Sequence, residues 1–191
     1  MLALAALAAA AGCPGKPGAK PPATLNRPAA PVNALDVNPA QAAHEVLGGV
    51  PLQGRLREVK KRGTLRFGLP PAREPFQSVH PDLGRPAGFN VALAEQMAKT
   101  INLEAVVEFV PPTSREAVRW SEDFDIVFQE PGMDLCGGRN AIPYFMTSGS
   151  REWLTMCVAG RDPSLEQAVR NTLDWFVETG MFTYLYTEYF P

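Results

Sequence analysis

A doubly wound α/β fold with a parallel sheet is predicted by three features of the sequence. Short apolar runs alternate with segments of helical period between Arg55 and Phe128. A repeated strand, helix, strand order implies right-handed βαβ crossovers and a parallel sheet. The chain has 191 residues, 46% of them hydrophobic, which suits roughly one domain with an ordinary core. Its formal charge of only -2 gives no sign of a nucleic-acid partner.

The first dozen residues, MLALAALAAAAG, form the only long apolar run. That run is too short to span a bilayer as a mature helix and suits the apolar region of a secretory signal. It stops at Cys13, and Ala10-Ala11-Gly12-Cys13 resembles the bacterial lipobox, whose cysteine carries diacylglycerol. Ala10 stands where leucine is usual, and no Lys or Arg precedes the run; a plain signal with an incidental cysteine is the alternative. Residues 1–12 are read as a signal peptide and 13–51 as the lipid attachment site and a tether. The tether is dense in Pro, Ala and Gly, with too few large apolar residues to offset the entropy of folding. Such chains extend at about 3.1 Å per residue. Residues 52–191 are the expected folded lobe.

That lobe opens with a helix, Arg55 to Arg62, and a strand, Thr64 to Leu69. The segment GFNVALAEQMAKTI predicts the next helix: Asn90 can cap it, and Val91, Ala94, Met97, Ala98 and Ile101 share one face. A strand follows from Ala105 to Val110. Thr113 or Ser114 caps a short helix through Trp120, and Asp125 to Phe128 forms another strand. After a strand from Glu152 to Ala159, Asp162-Pro163 opens a helix that runs to a stop at Gly180. Leu165, Val169, Leu173 and Phe176 make its buried stripe; Glu166, Arg170, Asp174 and Glu178 face solvent. The aromatic set Phe182, Tyr184, Tyr186, Tyr189 and Phe190, with Leu185, reads as the docking face of a last helix. In parallel sheets ligands gather beyond the carboxyl ends of the strands. Three segments meet there: Pro70 to Pro86, Pro111 to Ser114, and Gln129 to Arg139, the last containing GMDLCGGR.

The order LREVKKRGTLRFGLPP, EPF, HPDLGRPAGFNVALAEQMAKTINLEAVVEFVPP, FDIVF, GMDLCGGR and IPYFMTSG resembles family 3 of the bacterial extracellular solute-binding proteins, the amino-acid-binding receptors of ABC importers. The resemblance covers most of residues 55–150, and the segment from Asp162 onward is similar to that family's closing helices. It implies two α/β lobes joined by hinge strands, which close on a ligand. Here the strand Glu152 to Ala159 runs almost directly into Asp162-Pro163, so the expected architecture is a single lobe of the periplasmic-binding-protein type II fold, with the second lobe absent.

Carried over by register, the resemblance makes Arg139 the group that binds a ligand's α-carboxylate, for which a planar guanidinium is suited. A solvated charge, or an ion pair with Asp134, is the other reading of Arg139. The family's hydroxyl position falls at Cys136, a weak donor. Arg73 replaces an aromatic residue before the Pro-Phe pair, and Pro112 stands near another aromatic position. Asn90 and Ala92 replace acidic residues. Phe76 is either a cleft wall or core. The candidate ligand set is therefore Arg139, Cys136, Asp134, Phe76 and Arg73.

The resemblance further implies an extracytoplasmic or periplasmic lipoprotein that binds an amino acid or another small carboxylate. With half a cleft, affinity should lie near or above about 1 mM. An ABC permease or another envelope protein is the implied partner, with the membrane reached through the lipid at Cys13. Cys136 and Cys157 then form either a disulfide, which needs Cα atoms within about 7 Å, or two buried thiols. No cofactor or metal is expected: His44 and His80 have no second ligand nearby, and the glycine-rich loop lacks a Lys-Ser/Thr ending. No enzymatic role is expected, since the carboxylates Asp134, Glu130 and Glu74 show no acid-base partner. An interaction or scaffold protein of an envelope complex, having lost solute binding, is the alternative function.

Overall fold

The computed structural model describes residues 38–110, 123–133, 141–147, 149 and 151–190, apart from the side chain of Arg161. The signal and tether before Asn38, the helix read up to Trp120, Pro112, and the candidates Asp134, Cys136 and Arg139 lie outside these residues.

Seven strands and five helices are described. β1 (Thr64–Leu69) is an interior strand, with β4 (Glu104–Phe109) and β5 (Ile126–Gln129) parallel on its two sides. The connection from β1 to β4 runs through α3 (Phe89–Thr100), the expected crossover. The sheet continues through β7 (Trp153–Val158) to β6 (Ile142–Met146), giving the order β4-β1-β5-β7-β6. β7 is antiparallel to both β5 and β6, so the sheet is mixed, and its parallel part is the β1, β4 and β5 unit that the strand-helix alternation predicts. The cause is a hairpin turn: Thr147 N donates to Glu152 O and Arg151 N to Thr147 O, both at 3.0 Å. Side chains alternate identically in either direction, so the apolar pattern of β7 carried no information about its sense. A ribbon of β2 (Ser78–Val79) and β3 (Pro86–Ala87) precedes α3.

The pleat sorts residues between two faces. Phe67, Leu69, Ile126, Phe128, Met156 and Val158 join the main core with α2 (Gly54–Arg62), α3 and α4 (Pro163–Glu178). The intervening Val127 and Cys157 turn to a smaller cluster with Val110, Phe124 and Ala159. Gly68 lies on that second face, where any Cβ would run into the Val110 and Val127 side chains.

After β7 a single 3-10 turn, Ala159–Arg161, leads to Asp162. Asp162 caps two helices. Its Oδ1 accepts from Leu165 N of α4 at 2.7 Å, and its Oδ2 accepts from Arg55 N of α2 at 3.0 Å. Each bond satisfies an amide that a helix N-terminus leaves without a partner. Gly54 is needed for this arrangement, because its φ is +50° and a Cβ would collide with the same carboxylate. The expected stripe of α4 is buried: Leu165, Val169, Leu173 and Phe176. In α5 (Met181–Tyr189) and at its end, Leu185, Phe182, Tyr189 and Phe190 pack on the core, while Tyr184 and Tyr186 remain exposed.

One helix falls inside the segment read as tether. α1 (Pro39–Leu47) starts at Asn38, whose Oδ1 accepts from Ala40 N at 3.0 Å. It buries Ala42 and Val46 and packs against α3 and α4. Asn171 Nδ2 donates to Val46 O at 2.8 Å, and Trp175 Nε1 donates to Glu45 at 2.9 Å. A helix within residues 13–51, the segment read as tether, therefore packs on the lobe. Two small apolar residues suffice for docking because α4 also ties the helix down with polar bonds.

Candidate functional site

The site is built where β1 and β5 end. Beyond Leu69 the chain folds back on itself: Arg73 N donates to Gln77 O at 2.7 Å, and Gln77 N donates to Arg73 O at 2.9 Å, around a cis Glu74-Pro75 bond. The carbonyls of this turn cap α3. Phe89 N donates to Pro75 O at 3.1 Å and Asn90 N to Phe76 O at 2.8 Å. Gly88 makes the approach tolerable, with φ +114° and no Cβ to strike the Phe76 carbonyl. Asn90 is therefore not the cap expected from sequence. The loop backbone does that work, and the Asn90 side chain points inward, 2% exposed.

A polar chain results. Tyr144 Oη on β6 donates to Asn90 Oδ1 at 2.9 Å, Asn90 Nδ2 to Gln77 Oε1 at 2.6 Å, and Gln77 Nε2 to Glu130 Oε1 at 3.0 Å. Gln77 Nε2 also donates to Pro71 O at 3.1 Å. Gln77 is fully buried and Tyr144 nearly so. Burial pushes the Tyr144 hydroxyl far above the ordinary phenol range, so it remains a donor at moderate pH. Such a network is tolerable in a core because every member is paired. Glu130, directly after β5, closes the chain by accepting from Arg73 Nη1 at 3.0 Å. Arg73 Cζ also lies 5.5 Å from the centroid of the Phe76 ring.

Three residues singled out from sequence thus come together: Arg73, Phe76 and Glu130. Phe76 is 6% exposed and belongs to an aromatic cluster, edge-on to Phe89 and Phe145 at centroid distances of 6.3 and 5.2 Å. Glu74 is exposed and takes no part in the polar chain. Gln77, Asn90 and Tyr144 went unnoticed as a group because they are far apart in sequence and belong to three different elements. Cys157, buried on β7, is disulfide-bonded, and its partner lies outside the described residues. That overturns the pair of free thiols. Among the described residues no cluster of three or more His, Cys, Asp and Glu side chains gathers as a metal site, and no helix is long and apolar enough to cross a membrane. A depression of about 430 Å³ beside Ser164, Gln167 and Asn171 sits at the start of α4, toward the opposite edge of the sheet.

No protein-family model and no curated protein matches this chain by sequence. Solved structures do match by fold. A cysteine-binding protein from Campylobacter jejuni aligns with a TM-score of 0.59 at 14% identity, over 72% of this chain and 93% of that one. The ancestral amino acid-binding protein AncCDT-1, described as a precursor of cyclohexadienyl dehydratase, gives 0.56 at 18% identity, over 72% and 100%. The arginine-bound form of domain 1 from TmArgBP gives 0.50 at 24% identity, over 62% and 97%. At such identities the likeness concerns the backbone alone, and on that ground the chain has the α/β fold of a single lobe of the periplasmic amino-acid-binding proteins.

Proposed function

We propose that the chain is an extracytoplasmic solute-binding lobe that takes an amino acid or another small carboxylate at the carboxyl edge of its sheet. The observation that carries this reading is the built edge: a buried polar chain ending at Glu130, Arg73 and Phe76, at the place where open α/β sheets hold ligands. Arg139, in register with the resemblance, is assigned the ligand carboxylate, with Asp134 and Cys136 as further members of the set, Cys136 as a sulfur that has no S–H to donate once it is oxidised. Cys136 is also assigned as the disulfide partner of Cys157, because Cys13 is assigned to lipid. That a single domain of TmArgBP is known in an arginine-bound form supports a ligand being seated by one lobe. Affinity should still be near 1 mM, about -4 kcal/mol, since one lobe leaves much of a small ligand in water.

Calorimetry with an amino-acid panel tests this. Wild type is expected to bind at least one member with millimolar affinity, and Arg139→Ala to weaken it about tenfold or more, as loss of a charged hydrogen bond implies. Unchanged binding in the variant removes Arg139 from the site, and micromolar binding by wild type refutes the half-cleft argument. No binding by wild type favours the second reading, an interaction or scaffold protein of an envelope complex. That reading draws support from Met146 and Trp153, a cross-strand pair at the mouth of the β6–β7 hairpin, each 52% exposed. The resemblance alone supplies an ABC permease as partner.

Cys13 is the proposed lipid attachment site, which would hold the lobe at a membrane through the Pro/Ala-rich residues before Asn38. Cys13→Ala should move the protein from the membrane to the soluble fraction. Identical partitioning of wild type and variant would remove the anchor from this account.

A further inference from the structure

Arg73 is held by two groups whose chemistry together suits a guanidinium. The face of Phe76 lies at a distance where a planar cation gains from the ring, 5.5 Å from Cζ to centroid. The Glu130 carboxylate accepts from Nη1 at 3.0 Å. Neither group depends on Arg73 for its position. The second oxygen of Glu130 accepts from Gln77 Nε2 at 3.0 Å, and Gln77 is fully buried and held from behind by Asn90. Phe76 is fixed by its aromatic neighbours, with Phe89, Phe145 and Phe190 all within 6.3 Å of its centroid. The bridge between Arg73 and Gln77 is made by backbone atoms and needs no arginine side chain.

We propose that the carboxyl edge carries a guanidinium-recognising subsite which the chain fills with its own Arg73, and that this occupant excludes ligands with a guanidinium side chain. A tethered group competes at an effective concentration in the millimolar range or above. A free cation gains little from a contact this exposed, with side-chain exposures of 41% for Arg73 and 25% for Glu130. The tethered arginine therefore wins. Its bearing on solute choice rests on the edge being the ligand site; the subsite itself does not.

The test uses the full chain. Arg73→Ala should empty the subsite while leaving the backbone bridge. Methylguanidinium is the probe, because it carries no carboxylate and so reports nothing about Arg139. At about 50 mM it should raise the melting temperature of Arg73→Ala by about 2 °C over matched sodium chloride. Wild type should show no such rise, and Arg73→Ala/Glu130→Gln should lose it. Arg73→Met keeps a stem over Phe76 and should also fail to respond. An equal rise in wild type, no rise in Arg73→Ala, or a rise that survives Glu130→Gln would overturn the proposal. So would an equal rise with methylammonium, which would mean that the site reads charge rather than guanidinium shape.

Discussion

Asp125→Asn is expected to destabilise the lobe by about 3 kcal/mol, the lower end of what breaking a buried ion pair costs. Asp125 precedes β5 and is fully buried. Its Oδ1 accepts from Arg55 Nε at 2.7 Å, and its Oδ2 accepts from Arg66 N at 2.9 Å and from Arg62 Nη2. One carboxylate thus joins α2 to β1 and β5. Asparagine keeps the shape but loses the charge, and its amide nitrogen would face donors. Arg55 and Arg62 are 22% and 28% exposed, so water can reach them once released, which keeps the cost from reaching about 5 kcal/mol. For a chain of this size the loss corresponds to a fall in melting temperature of about 6–12 °C. Thermal and urea denaturation would check it. A change under about 1 kcal/mol would mean that the desolvation of three charges cancels their attraction, and that this junction contributes little to the lobe.

The parts of the fold that were legible in the sequence are those fixed locally. Asp162-Pro163 announced α4 because a side-chain cap followed by a residue lacking N–H is a signal contained in two positions. The same signal, Asn38-Pro39, opens α1, and there it was hidden by the surrounding Pro and Ala. Composition reads as a tether there, yet Pro39–Leu47 is helical, because α4 supplies contacts that composition cannot register. Asn90 failed for the opposite reason. Its position near the start of α3 looked like a cap, but Gly88 lets the carbonyls of Pro75 and Phe76 take the first amides, leaving the asparagine free for the interior. The antiparallel sense of β7 was illegible because strand direction depends on the turn at Thr147 and Glu152, and the period-two pattern is silent on it. At the site, Arg73, Phe76 and Glu130 could be placed at one edge by topology. Their pairing could not, since it runs through Gln77, whose partners Asn90 and Tyr144 are brought near only by the finished sheet.

Phe89→Ala is expected to cost about 3–5 kcal/mol, the range for emptying a buried aromatic position. Phe89 is fully buried at the first position of α3, and its ring meets five others: Phe76 at 6.3 Å, Phe145 at 5.6 Å, Phe182 at 5.8 Å, Tyr189 at 6.2 Å and Phe190 at 5.4 Å. Three of these partners belong to α5 or its end, so this ring is a main docking point of the last helix, beside Phe76 and Phe145, which meet Phe190 at 5.2 and 5.3 Å. Within α5 itself only Met181 and Leu185 are buried, and its first turn lacks a side-chain cap. The cavity should therefore act unevenly. Amides of α5 are expected to lose hydrogen-exchange protection before those of β1 and β5, as a locally unfolding unit would. Phe89→Leu refills most of the volume and should recover more than half of the loss. Urea denaturation gives the total, and exchange resolves its distribution. A loss under about 1.5 kcal/mol, or protection that falls equally in α5 and β1, would show that α5 is held by its own contacts with α4 and that the aromatic cluster is not its anchor.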